Sequence, residues 1–166
     1  GAMTPLAKMK RALPEGHEIP EPILNRMGFL LNRAAQKLRE AMERALAPHG
    51  LTGKDLGILL FIREKGALPQ QEIGKCMHVD RTTMVDIIDD LEKRGLVERK
   101  SHPTDRRAHA IYLTARGKEI LPQALHLGQA AERKFLSLLP ARDRKEVYRI
   151  LKHLVLSHHL HEAHKE

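Results

Sequence analysis

Cysteine occurs once in these 166 residues, at Cys76, so no intrachain disulfide can form and the usage fits a reducing cytoplasm. Long apolar runs are missing as well. No stretch approaches the roughly 20 residues needed to cross a bilayer, and no signal-peptide pattern opens the chain, so a cytoplasmic protein without a membrane partner is expected. Gly1, Ala2 and Met3 have the character of a cloning remnant, with Met3 as the natural start. Catalytic signatures are equally scarce. There is no Gly-rich phosphate loop, no H-E-x-x-H helix and no G-x-S-x-G elbow. Cys76 and His78 are the one nucleophile and base adjacent in sequence, and adjacency along a chain does not make a triad. Neither an enzyme nor a cofactor is therefore expected. Acids are outnumbered, 21 against 29 lysines and arginines, for a formal charge of +8, which is compatible with a polyanionic partner without identifying one. A 42% hydrophobic and 30% charged composition suits one soluble domain of ordinary size.

What is present is concentrated between Gln70 and Thr114. A helix is expected over about Gln70–Met77, with Ile73, Gly74 and Met77 facing a small core and Gly74 permitting close approach of its neighbour. A short break at His78 and Val79 follows. Asp80 is placed to N-cap a second helix, with Val79 as a staple. Lys93, Arg94 and Gly95 end that helix with cations and a residue that tolerates positive φ. Met84, Ile87, Ile88 and Leu91 recur at helical spacing as its buried stripe. Arg81, Thr82, Val85, Asp86 and Asp89 are left on the open face. Leu96–Lys100 and Ala108–Leu113 then suit a β-hairpin whose tip, Ser101–Arg107, holds the turn-formers Pro103, Thr104 and Asp105. Helix, short turn, helix and basic hairpin make a winged helix-turn-helix, a unit that points to duplex DNA.

These residues resemble those of MarR-family transcriptional regulators from Phe29 to about Leu121. The resemblance is carried by D-x-R at Asp105 and Arg107 with the L-T pair Leu113 and Thr114. It extends to GLTGKDLGILLFI at Gly50–Ile62, DRTTMVDIIDDLEKRGLVER, and the R-G-K that follows Thr114. It implies a mostly α fold with a small β wing, in which N- and C-terminal helices interlock with those of a second subunit. Residues 1–22 are expected to be a cloning remnant and an extended arm, since Pro5, Pro14, Pro20 and Pro22 lie in or beside it; the resemblance makes 23–50 a dimerisation helix, 51–114 the winged helix-turn-helix, and 115–166 further dimerisation helices. The implied function is a homodimeric regulator, a repressor, binding double-stranded DNA at a pseudo-palindromic operator and released by a small aromatic or phenolic effector. The rival is a winged helix that binds only protein.

Charge is unevenly spread over the unit. Asp80–Glu92 holds five acids against Arg81, net −4, whereas Lys93–Arg107 holds six bases against Glu98 and Asp105, net +4. Carboxylates near a phosphate backbone are repelled, so much of the attraction must come from the wing, where Arg99, Arg106 and Arg107 are candidate contacts. The resemblance assigns Arg107 to the minor groove and Asp105 to orienting it; the bland alternative is that both only stabilise an exposed hairpin. For base edges the candidates are Arg81, Thr82 and Thr83, at the N-terminal end of the helix. Arg81 can instead bind phosphate, and Thr83 can instead be a local capping group. Asp86 can accept from a cytosine amine, although an intramolecular pairing with Arg81 or Lys93 is the favoured expectation.

Outside this unit the pattern is helical. Ile23–Ala47 presents Met27, Leu30, Leu31, Ala34, Leu38, Ala41, Met42 and Ala45 on one broad face. Thr52 caps a helix to Lys65 that buries Leu56, Leu59, Leu60 and Ile62. Ala115–Leu139 and Arg142 to about His161 follow, divided by Pro140, the second carrying Val147, Ile150, Leu151, Leu154 and Val155. Cys76 is expected as a small packing residue, with oxidant sensing as the alternative. His158, His161 and His164 are three apart and could share a face for metal ligation, but a fraying terminal helix is the expectation, and no metal site is assigned.

Overall fold

The computed structural model describes residues 1–105 and 109–165. Among these, the order is α1 (Leu6–Ala12), α2 (Glu21–Leu24), α3 (Met27–Leu46), α4 (Gly53–Lys65), α5 (Gln70–Met77), α6 (Arg81–Lys93), β1 (Val97–Ser101), β2 (His109–Leu113), α7 (Ala115–Phe135) and α8 (Ala141–Ala163). The chain is mostly helical with one two-stranded antiparallel sheet, as expected. It divides into two units, one of Ala35–Glu132 and one of Gly1–Ala34 with Arg133–Glu166.

The first unit, Ala35–Glu132, owns the core. Its centre is Leu46, Ile58, Leu59, Ile73, Met84, Ile88, Leu91, Ile111 and Leu121, all essentially without solvent contact. The inward stripe of α6 is thus Met84, Ile88 and Leu91, with Ile87 half-buried beside it. In α4 the fully buried Ile58 replaces the expected Leu60, which lies at the edge. Thr52 and Asp55 form a reciprocal capping box, the Asp55 amide donating to the Thr52 hydroxyl and the Thr52 amide to the Asp55 carboxylate, both at 3.0 Å.

Two glycines are dictated by close approach. A Cβ on Gly74 would stand 2.7 Å from Met84 Cγ and 3.0 Å from the Val79 carbonyl oxygen, so a side chain there would force Met84 to shift at the close contact of α5 with α6. A Cβ on Gly117 would stand 2.1 Å from the Leu96 carbonyl oxygen, which fixes the glycine of the R-G-K run. Thr114 closes the same junction: its hydroxyl donates to Gly95 O at 2.6 Å and accepts the Gly117 amide at 3.0 Å, capping the first turn of α7.

The hairpin pairs Val97 with Leu113 through Ser101 with His109. One feature beyond the sequence expectation is a bridge from Leu68 to Ile111, whose amide donates to Leu68 O at 2.9 Å and lengthens the sheet by one residue of a third chain segment.

The second unit, Gly1–Ala34 with Arg133–Glu166, has another character: none of its described residues is buried. Among the described residues, every exposed large hydrophobic side chain except Val85 belongs to it, including Met27, Leu30 and Leu31 of α3 and Ile150, Leu151, Leu154 and Val155 of α8. The expected extended arm is corrected here. Residues 6–12 are helical, Pro5 supplying the non-helical N-cap conformation and Lys10 and Arg11 the favourable last-turn charge. The helix expected from Ile23 is also split, because α2 ends at Leu24 and α3 starts at Met27. Pro22 sits in the first turn of α2, where its missing N–H costs nothing.

Candidate nucleic-acid interface

The geometry of α6 follows from its two ends. His78 closes α5 in a left-handed conformation, φ 54° and ψ 45°, the one positive-φ non-glycine among the described residues, and the chain turns directly into Asp80. The Asp80 carboxylate accepts from the Thr83 amide at 2.9 Å and from the Thr83 hydroxyl at 2.7 Å. Those two hydrogen bonds hold the Asp80 carboxyl below the usual carboxylate value, the backbone amide contributing most. Thr83 is therefore engaged as a capping partner and half-buried, while Arg81 and Thr82 beside it are exposed. Arg81 and Val85 border a cleft of about 340 Å³ shared with Gln70, Arg99 and His109.

The acidic character of α6 is largely neutralised within the fold. Arg99, on β1, donates to Glu92 at 2.8 Å, to Asp89 at 2.7 Å and to the Gln70 side-chain oxygen at 3.0 Å, and its backbone amide donates to Glu92 at 3.2 Å. One guanidinium thus ties α5, α6 and the wing together. Arg94 reaches Asp90 at 3.5 Å and donates to the carbonyl of His49, anchoring the C-terminal end of α6 to the α3–α4 connection. Asp86 is different. The expected pairing with Arg81 or Lys93 is not formed, and among the described residues Asp86 is exposed with no hydrogen bond or ion pair.

In the wing, Lys100 pairs with Glu98 at 2.9 Å and lies over the Tyr112 ring, 5.6 Å from its centroid. The hydrogen bond to Glu98 raises the Lys100 ammonium above its ordinary value. At the tip, Thr104 turns back to the His102 ring, its amide 3.2 Å from Nδ1, and Asp105 is exposed. Arg106 and Arg107 lie outside the described residues. Structure therefore gathers Arg81, Thr82, Asp86 and the capped Thr83 on α6, and commits Arg99, expected as a contact, to internal bonds.

A cavity of about 660 Å³ lies within the core-bearing unit, between Leu38 and Met42 of α3, the first turn of α4 and the inner side of α6 at Thr83 and Ile87. Ala35, Leu38, Met42 and Ile87 supply its apolar wall, and Arg39, Glu43, Lys54, Asp55 and Glu132 are its charged members. No sequence motif marks it, because four separate elements supply the lining. Cys76 is a correction: it is exposed, since Ile73, Gly74 and Met77 take the inward side of α5 and turn Cys76 away. The described residues bring no three His, Cys, Asp or Glu side chains together as a metal site. Nor is any described helix long and apolar enough to cross a membrane.

A sequence model of the MarR family matches residues 49–108. An HTH-type transcriptional repressor of Mycobacterium tuberculosis is 30% identical over 128 residues, covering 77% of this chain and 92% of the repressor. The chain belongs to the MarR family of transcriptional regulators. Among solved structures, the transcriptional repressor CouR bound to a 23-mer DNA duplex is 28% identical with a TM-score of 0.78, over 83% of this chain and 99% of that one. CouR from Rhodococcus jostii RHA1 bound to p-coumaroyl-CoA is 27% identical with a TM-score of 0.71, over 81% and 95%.

Proposed function

We infer that this chain is a homodimeric repressor that binds a pseudo-palindromic operator, with α6 in the major groove and the wing tip in the minor groove. The observation that carries this is the division of α6 into two faces. Met84, Ile88 and Leu91 are buried, while Arg81, Thr82, Val85 and Asp86 stand free at the surface, in the N-terminal half that a recognition helix presents to base edges. Arg107 is the minor-groove contact, with Asp105 orienting it and Arg106 adding charge. Arg99 acts as a positioning residue, holding α5, α6 and β1 in register. Thr83 acts through the Asp80 cap.

The exposed apolar faces of α3 and α8 serve dimerisation, since two recognition helices about one helical turn apart can read an inverted repeat. A small aromatic or phenolic effector occupies the 660 Å³ cavity, where it would touch Thr83 and Ile87 of α6 directly. The DNA- and ligand-bound CouR structures support both halves of this assignment. The setting is the cytoplasm, and the role is regulation rather than catalysis. Selecting genomic fragments with the purified protein tests the assignment: a shared inverted repeat is expected, and recovery of fragments with no common sequence would contradict it.

A further inference from the structure

We propose that Asp86 is a base-reading residue whose carboxylate selects cytosine at one position in each half-site, a role that rests on the DNA-binding function inferred above. Of the five carboxylates from Asp80 to Glu92, four have work inside the fold: Asp80 caps α6, Asp89 and Glu92 hold Arg99, and Asp90 meets Arg94. Asp86 alone of the five is without a partner among the described residues, and it is exposed. It lies four residues after Thr82 and directly after Val85, and so on the open face of the helix. Val85 is 38% exposed, the one large hydrophobic side chain left open among the described residues of the core-bearing unit, and it offers an apolar surface of the kind that contacts a thymine methyl.

A carboxylate with no counterion, carried into the major groove, is repelled by the phosphates on either side. The position is favourable only if the oxygens meet a donor there. Two base donors face the major groove, the cytosine N4 and adenine N6 amines. The adenine amine lies beside the N7 acceptor, which opposes an anion, whereas acidic side chains pair with cytosine N4. Asp86 therefore discriminates in two ways: it accepts from cytosine at the cognate site and is repelled wherever that amine is replaced by a carbonyl.

The test is selection from a pool of random duplexes by the full-length wild type, D86A and D86N, followed by titration of duplexes substituted one pair at a time. D86A removes an exposed, unpaired group from mid-helix, so the fold has no reason to change. The wild type should enrich a cytosine at one symmetric position and bind about tenfold more weakly when that pair is replaced. D86A should bind both duplexes within about twofold of one another, and D86N should move the preference toward adenine. If D86A enriches the same base as the wild type at every position, the proposal is overturned while the DNA-binding function stands. A wild type that enriches no sequence overturns both.

Discussion

Arg99 on β1 and Asp89 on α6 lie 2.7 Å apart, guanidinium to carboxylate, with Glu92 2.8 Å from the same side chain. In the proposed complex this pairing lets α6, with four acids of its own and Asp80 as its cap, approach a polyanion, because the neutralising charge is brought from the wing. Arg99→Ala should lower stability by about 1–2 kcal/mol in urea unfolding, the network being partly exposed. It should also weaken operator binding by leaving Asp89 and Glu92 uncompensated. Adding Asp89→Asn and Glu92→Gln should restore much of that binding. An affinity that stays lost would mean that Arg99 touches DNA itself.

Gly117→Ala is expected to be among the most damaging single methyl additions in the chain. Its Cβ would meet the Leu96 carbonyl at 2.1 Å, a backbone atom that cannot rotate aside. A loss of about 3 kcal/mol, read as a lower urea midpoint, is the expected outcome. Gly74→Ala should cost less, because its nearest neighbour is the flexible Met84 side chain.

The Asp80 cap gives a pH dependence with a defined sign. Its carboxyl titrates below the ordinary value of 3.8 in the folded chain, so its contribution is complete above that value. The stabilisation is then lost as pH falls through the depressed folded value. The first turn of α6 should loosen on acidification, seen as loss of hydrogen-exchange protection at the Thr83 amide relative to amides in mid-helix. D80N, which keeps a capping oxygen but does not titrate, should flatten that relative change. A wild type with the same flat profile would remove the cap from the account.

Arg107→Ala should weaken operator binding and reduce the slope of log K against log salt by about one. Asp105→Ala should act in the same direction by misplacing Arg107, so the double variant should lose less than the two single losses added together. An unchanged slope and affinity in Arg107→Ala would exclude the wing from binding.

The boundaries of α5 and α6 were legible because local signals coincide: Asp80 before an apolar stripe, Gly95 after two cations, and one short break between. The hairpin was legible to within a residue. The ion pairs were not, since Arg99 meets partners 7, 10 and 29 positions away and only the packed fold brings them together. For the same reason the cavity left no motif, and Asp86 was expected to pair locally when its neighbours on the helix face do not reach it. Cys76 is exposed although cysteine is commonly a buried packing residue, because the expected inward side of α5, Ile73, Gly74 and Met77, leaves no place for it. Residues 6–12 read as an arm because flanking prolines mark breaks without forbidding a short helix between them.

Two subunits that each read one half-site should be distinguished by titrating the selected inverted repeat against a duplex of equal length with one half-site scrambled. The scrambled duplex should bind more weakly by about 100-fold or more, since the second contact and its avidity disappear. Equal affinity for the two duplexes would contradict reading by two subunits.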